Sequence, residues 1–459
     1  MRDLHAQFVS GFLFPTSQRL RGGNYRQKLA EARANLSLSR DEISNLQFQK
    51  LRRMIQHASL HVPYYRQLFK QLGLEPQDIR DWSDFEDLPV LTKSQVREFN
   101  PLFQSEKRRS PIRKFTTGGS TGTPLHVQTG EISIAAEHAC RTRAFDRWGI
   151  KIGDRLVQIW GNTYSLDHSL KTRLNRRIYK PLKDVLFNRR EMPAITYGEE
   201  DLERQWRYLN RFKPVYIRGF PSALFLLAQY ITANNFDGRS LDLKLIITGS
   251  EILYDWQQSE LEQVFGCRIM NSYGSFEIGY AACSYPCGAL HTNDDFVIVE
   301  VIKPNPKDQF GQIVATRLDN WEFPLIRYNV EDLAVGLGEH HNCSLGISLL
   351  KLDQIIGRNF DLVRLADRRI VHGGYFDNLI RKAPGVIHFQ VVQKSPDKFD
   401  IFLVVDPDRY TPEGVTYISQ NIQSFCGPVQ VNIIKVDSIL AEASGKFRYV
   451  RSEVRPQDL

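Results

Sequence analysis

The chain has 459 residues, 42% apolar and 24% charged, with 60 Lys plus Arg against 52 Asp plus Glu, a net charge of +8 and a pI near 9.0. That length suits two or three folding units with a real core. The small basic excess fits an anionic small molecule, a nucleic acid or an anionic membrane surface and selects none of them. No apolar run approaches the roughly 20 residues of a membrane span, and six cysteines in so long a chain form no disulfide framework.

The N-terminus carries Arg2, Asp3 and His5 without a continuous apolar run, so it does not read as a signal peptide, and a cytoplasmic setting is expected. Leu, Ile and Met recur at helical spacing over Tyr25–Leu36 and Asn45–Leu60, until Pro63 breaks the pattern. Leu88–Lys93 is a short connector. It leads into Thr116-Thr-Gly-Gly-Ser-Thr-Gly-Thr-Pro124, with three glycines and five hydroxyl side chains in nine residues. Glycine lets the backbone approach an anion and turn its N–H groups inward, and the hydroxyls add donors. The spacing is not that of a Walker loop and no lysine follows, so a phosphate held here takes its positive charge from elsewhere.

From about residue 200 to 275 the pattern alternates strand and helix: Pro214–Arg218, Ser222–Ala233, Leu243–Thr248, Tyr254–Phe265, Arg268–Tyr273. Apolar strands alternating with helices predict a parallel sheet covered on both faces, with ligands bound at the carboxyl ends of the strands. Gly219, Gly249-Ser250 and Gly274-Ser275 stand at those ends. From residue 386 the pattern is strand, turn, strand, helix, strand, a small α+β unit. The predicted fold is therefore α/β: a large N-terminal domain, 1–357, with parallel-rich sheets covered by helices, and a small mobile C-terminal α+β domain, 358–459.

Three positions stand out chemically. Glu277 follows a strand end in a turn, where a carboxylate near phosphates can hold Mg²⁺, though a surface glutamate at a helix start has the same pattern. Asp332 closes an apolar run that carries Arg327, and an ionised carboxylate there can accept from both hydroxyls of a ribose; an ordinary strand end reads the same way. Lys446, preceded by Gly445, sits on an open tip and can supply the cation that the glycine-rich loop lacks; exposed lysine is the plainer alternative.

In their order along the chain these segments resemble the adenylate-forming ligases, specifically the phenylacetate–CoA ligase and CapK-like branch. The resemblance covers nearly the whole chain. Val62-Pro-Tyr-Tyr65 and Leu88–Lys93 look like the family's entry segments. Thr117–Pro124 is similar to its phosphate loop, and Lys213-Pro to Gly219-Phe-Pro-Ser222 to its K-P-x-x-I-x-G-Y-P-S stretch. Thr248-Gly-Ser-Glu251 resembles the adenine-side turn, Tyr273-Gly-x-x-Glu277 the Y-G-x-x-E motif, and Pro324–Asp332 the P-L-I-R-Y-x-x-x-D-L segment. Gly357-Arg358 resembles the domain-junction pair, with Asp361 as hinge acid, and Gly445-Lys446 the C-terminal lysine motif. Two departures stand beside these: Thr123 occupies a place where the family often has Lys, and Asn329-Val-Glu331 replaces Arg-Thr-Gly.

The resemblance implies that a carboxylic acid attacks the α-phosphorus of ATP to give acyl-AMP, and that the acyl group then passes to coenzyme A. A CapK-like transfer to a hydroxyl or amine in polysaccharide synthesis is the alternative, and a non-catalytic nucleotide-binding scaffold the second. It further implies that Thr117, Gly118, Gly119, Ser120, Thr121, Gly122 and Thr123 hold the phosphates. Gly249, Ser250, Glu251, Tyr273, Gly274, Asp332 and Arg358 complete the ATP site, with Glu277 on Mg²⁺ and Lys446 on the reacting groups. Trp160, Phe220, Tyr273 and Ile278 would wall an apolar acid pocket. The branch often carries Cys and His near Cys283, His291, His341 and Cys343, implying a structural Zn²⁺ with Cys287 as a competing ligand.

Lys171–Arg190 holds eight basic residues, with Leu170, Leu174, Ile178 and Leu182 every four. Much of 170–190 is expected to form a basic amphipathic helix, a candidate for peripheral contact with an anionic membrane such as the inner membrane face. Aromatic residues do not interleave with this basic run, so no nucleic acid partner is expected.

Overall fold

The computed structural model describes residues 2–117, 125–160, 180–193, 199–338, 343–358, 362–367, 370–372, 374–380, 383–440 and 448–454. The chain divides into two units, Met1–Ile355 and Ile356–Leu459. The expected Tyr25–Leu36 helix spans Tyr25–Asn35, and the second expected helix is longer, Arg40–His61. Its start is set by a capping box: the Ser39 side chain accepts from Glu42 N–H, and the Glu42 carboxylate accepts from Ser39 N–H at 2.8 Å. Pro63 ends this helix and also opens the next, Pro63–Leu72, because its missing N–H costs nothing in a first turn.

The strands of the first unit are β1 (Ile112–Thr117), β2 (Leu125–Gly130), β3 (Leu156–Trp160), β4 (Arg189–Pro193), β5 (Tyr216–Gly219), β6 (Leu245–Gly249), β7 (Arg268–Ser275), β8 (Gly279–Ser284), β9 (Leu290–Thr292), β10 (Val297–Ile302), β11 (Gly311–Arg317), β12 (Tyr328–Ala334), β13 (Leu337–Gly338) and β14 (Lys351–Leu352). Among the described residues the largest sheet runs β13-β14-β9-β8-β7-β6-β5-β3-β4. β5, β6 and β7 are parallel, as the alternation predicted; β3 and β4 extend the parallel set, and β7, β8 and β9 form an antiparallel meander, neither of which it predicted.

Strand parity sorts the two faces. Tyr216, Leu245, Ile247 and Met270 share a buried cluster with Cys140, Ala144 and Phe145 of the helix Glu131–Trp148. Ile217, Ile246 and Ile269 face the other way, against Leu224, Leu227, Leu261 and Phe265 of the helices Pro221–Ala233 and Asp255–Phe265. Both faces are therefore dry, and the strands read as continuous apolar runs for that reason. Arg143, 1% exposed, ties the first helix to the loop before β10 through Asp295 at 2.9 Å and Asn293 at 2.8 Å.

β10, β11 and β12 pair antiparallel in a second sheet. The connector Leu88–Lys93 docks on its end: Leu91 N–H donates to the Arg327 carbonyl at 2.8 Å, and Asn329 N–H to the Leu91 carbonyl at 2.9 Å. A strand at Ile355–Arg358 (β15) carries the chain into the second unit. There a hairpin, β16 (Leu362–Arg364) and β17 (Ile370–His372), precedes β18 (Val386–Ser395), β19 (Lys398–Val405), the helix Pro412–Cys426, β20 (Gln430–Lys435) and β21 (Val450–Ser452), in the order β20-β19-β18-β21. The α+β unit read from the sequence matches this order, with the hairpin and β21 added.

Candidate active site

The sheet register aligns the carboxyl ends of the parallel strands. Ile159, Gly219, Thr248 and Asn271 lie in one row, and Trp160, Phe220, Gly249 and Ser272 come directly after it. Close approach requires glycine twice here: a Cβ on Gly249 would stand 2.6 Å from Ser272 Oγ, and one on Gly274 would overlap the Gly279 carbonyl oxygen. Ser250 then takes a positive φ of 67°, as do Arg327 (50°) and Glu331 (68°). Left-handed non-glycine residues cost roughly 1–2 kcal/mol each, and two of these flank the strand ends here, Ser250 after β6 and Glu331 beside Asp332. Hydrogen bonds fix the strand ends: Thr248 Oγ1 donates to Asn271 Oδ1 at 3.1 Å, and Ser272 Oγ to the Thr248 carbonyl at 2.6 Å.

Two sheets meet at this edge. Tyr273 Oη, on β7, donates to Asp332 Oδ2, on β12, at 2.8 Å. Glu277 stands in the β7–β8 turn, its N–H donating to Ser275 Oγ at 3.3 Å. Its carboxylate is 7% exposed and has neither ion pair nor hydrogen bond among the described residues. Burial raises the Tyr328 hydroxyl above its ordinary value, and the Glu277, Glu331 and Asp332 carboxylates around it raise it further. Such converging negative charge is what a divalent cation neutralises. The stem of the glycine-rich loop reaches the same place, because Phe115 of β1 stacks on Phe276 at 4.8 Å.

The structure brings together Gly249, Ser250, Glu251, Tyr273, Gly274, Glu277 and Asp332. Glu251 does structural work as well: its Oε2 accepts from Ser222 N–H at 3.0 Å, at the start of the helix Pro221–Ala233. Residues 118–124, Asp361, His341 and Lys446 lie outside the described residues, as do the side chains of Thr117 and Arg358. Arg327 is a brace: it pairs with Glu300 at 2.7 Å and donates to the carbonyls of Glu86 and Leu88.

The expected acid-pocket wall is only partly accessible. Phe220 and Ile278 are each 1% exposed and belong to the core, whereas Trp160 is half-buried and stacks on Phe220 at 4.3 Å. Arg218, which sequence reading did not single out, stands over the Trp160 ring. The available signal was a charged residue at the last-but-one position of an apolar strand.

The metal ligand set differs from the expected one. Cys287 Sγ, His291 Nε2 and Cys343 Sγ converge, with ligand atoms within 4.8 Å of one another and Cys287 Sγ 3.5 Å from His291 Nε2. His291, fully buried, donates from Nδ1 to the Leu349 carbonyl at 2.9 Å, which leaves Nε2 as the ligand atom. Cys283 is paired with His291 across β8 and β9 but is fully buried and stands outside this cluster. Burial pushes its thiol up to about 11, with Arg143 and the Tyr280 hydroxyl next to it.

The basic stretch lies partly outside the described residues. Its described part forms the helix Lys180–Leu186, and Arg189 and Arg190 belong to β4.

The family model of the CapK C-terminal domain matches residues 363–453, inside the second unit. Protein CapK of Staphylococcus aureus is 24% identical over 383 residues, 80% of either chain. Phenylacetate-coenzyme A ligase of Thermus thermophilus is 24% identical over 384 residues, 79% of this chain and 81% of that one. The structure of 2-hydroxyisobutyryl-CoA ligase in the postadenylation state, in complex with R3-HIB-AMP, matches with a TM-score of 0.73 at 20% identity, over 91% of both chains. The chain thus has the adenylate-forming ligase fold, and its resemblance to the phenylacetate–CoA ligase and CapK branch extends over about four fifths of its length.

Proposed function

We propose that this protein activates a carboxylic acid with ATP, forming acyl-AMP and pyrophosphate, and passes the acyl group to coenzyme A. The observation that carries the reading is the joined edge of the two sheets, where Asp332 is held by Tyr273 beside the strained Ser250 turn and the unpartnered carboxylate of Glu277. In this reading Asp332 accepts from the ribose hydroxyls, and Tyr273 keeps its carboxylate aimed. The backbone of Gly249-Ser250 and Gly274 borders the adenine and the reacting carboxyl. The glycine-rich loop surrounds the β- and γ-phosphates, and Lys446 neutralises charge between the attacking carboxylate and the α-phosphate. Glu277 fits a Mg²⁺ ligand, since a nearly buried carboxylate without a cationic partner favours a bound cation; Mg²⁺ there would neutralise phosphate charge.

Cys287, His291 and Cys343 fit a structural Zn²⁺, because two thiols and an imidazole with its tautomer set by a carbonyl are a tetrahedral donor set lacking one ligand. His341 is the candidate for the fourth. A peripheral membrane role has its own support. Leu4, Phe8 and Phe12 are 66%, 54% and 55% exposed, and Leu182 and Val185 57% and 55%. His5 Nε2 lies 3.2 Å from the Leu186 carbonyl, so these residues form one surface, with Arg21, Lys183 and Arg189 near it.

The test is acid-dependent pyrophosphate release from ATP across aromatic, aliphatic and hydroxy acids, with and without coenzyme A. Release with one acid class and AMP turnover that requires coenzyme A are expected. The match to a CapK domain favours a hydroxyl or amine acceptor as the second reading, and pyrophosphate release without a coenzyme A requirement would select it. Nucleotide binding with no release for any acid would reject both.

A further inference from the structure

The β5 strand carries a charge where its row of the sheet turns from polar, with Gln158 of β3 and Glu191 of β4, to apolar. Arg218 is in register with Ile247 of β6 and Met270 of β7, and shares the face of Tyr216, beneath the helix Glu131–Trp148. Its guanidinium lies 4.9 Å from the centre of the Trp160 ring, and that of Arg141 lies 4.9 Å from the centre of the Tyr280 ring. Ser250 and Tyr273 stand three residues further along their strands, roughly 10 Å at about 3.3 Å per residue. Arg218 thus lies below the strand ends that carry the nucleotide-side residues. It keeps partial exposure, as do Trp160, Arg141 and His138.

Negative charge here is short. Glu137 is shared by Arg141 at 2.9 Å and Arg317 at 3.4 Å, and Arg218 has no ion pair among the described residues. Burial, and after it the Arg141 guanidinium, lowers the Arg218 pKa to about 10. The same cations, behind burial, keep His138 well below its ordinary value and therefore neutral. A half-buried cation without a direct ion pair is costly, and an incoming anion relieves that cost.

We propose that Arg218, with Arg141 beside it, forms an anion subsite at the floor of the acid pocket, so that the acid carries a second anionic group, a carboxylate or a phosphate, remote from the carboxyl that is activated. The inference rests on the adenylation reading above and narrows its substrate class. It also departs from the expectation of an apolar acid pocket. The Trp160 face would border the connecting carbons, and Arg218 would pair with the distal group in a charge-assisted, two-pronged contact.

The test compares succinate, glutarate, adipate and terephthalate with butyrate, pentanoate, hexanoate and 4-methylbenzoate in ATP–pyrophosphate exchange, with 3-phosphoglycerate as the phosphate arm. A matched diacid or the phosphate acid is expected to exceed its monoacid in kcat/KM by roughly a hundredfold or more, as for sites built around a polar substrate group. Arg218→Leu should remove that preference and Arg218→Lys keep part of it. Because leucine suits a place beside Ile247 and Met270, Arg218→Leu should melt no lower than wild type, whereas a merely structural arginine would lower it. Equal use of monoacids by wild type, or an unchanged preference in Arg218→Leu, overturns the proposal. If no acid supports exchange the adenylation reading fails, and calorimetric titration of the same acids without ATP decides the subsite: Arg218-dependent binding of a diacid or 3-phosphoglycerate supports it, and absence of such binding overturns it.

Discussion

Cys283 and Cys287 are four residues apart and have opposite environments. The first is in the core among tyrosine hydroxyls; the second is on the turn after β8, facing His291 and Cys343. Protein purified without added zinc is expected to hold about one equivalent by elemental analysis, lost in Cys287→Ser and retained in Cys283→Ser. The reverse pattern would return the ligand set to the one the sequence suggested. His57 is a second residue with a measurable signature. It is 3% exposed, and its Nε2–H donates to the Trp321 carbonyl at 2.9 Å. Burial lowers its pKa from 6.5 to about 4. Below pH 6.5 the unfolded chain therefore binds a proton that the folded state refuses, so stability is full above 6.5 and falls as the pH drops toward 4. His57→Gln should flatten the Tm profile in that window, and parallel profiles for the two proteins would reject the assignment.

At the scale of elements, β5, β6 and β7 were legible because their apolar runs lead into Gly219, Gly249 and Gly274, whereas β3 and β4 lack that signal. The meander β7-β8-β9 was not legible, since its residues read as turns and thiols rather than as a period. The described end of the basic run forms the helix Lys180–Leu186, and β4 takes Arg189 and Arg190 because a strand edge beside β3 was available. What remains exposed is an apolar surface with cations beside it. Phosphatidylglycerol vesicles should sediment the protein at low salt, and phosphatidylcholine vesicles should not. Phe8→Ser with Phe12→Ser should weaken binding tenfold or more, since burying one such ring is worth about 1.5–3 kcal/mol. Equal sedimentation with neutral vesicles would exclude this electrostatic contact.

For the whole molecule, the proposed chemistry needs Lys446, which belongs to the second unit, for adenylation but not for thioester formation. Lys446→Ala is expected to lower ATP–pyrophosphate exchange by roughly 10²–10³, the scale of losing one preorganised charge contact. Transfer from synthetic acyl-AMP to coenzyme A should persist, and loss of both half-reactions alike would remove the lysine from its assigned role. The sequence by itself determined the α/β class, the order of motifs and the make-up of the second unit. Period, apolar runs and glycine at strand ends act over a few residues, where local sterics decide. Only the tertiary structure decided which distant groups meet: Tyr273 with Asp332, Phe115 with Phe276, Cys287 with His291 and Cys343, and Arg218 with Trp160. Those pairings depend on strand register and face parity, which shift every side chain together and leave no mark in any short stretch of the chain.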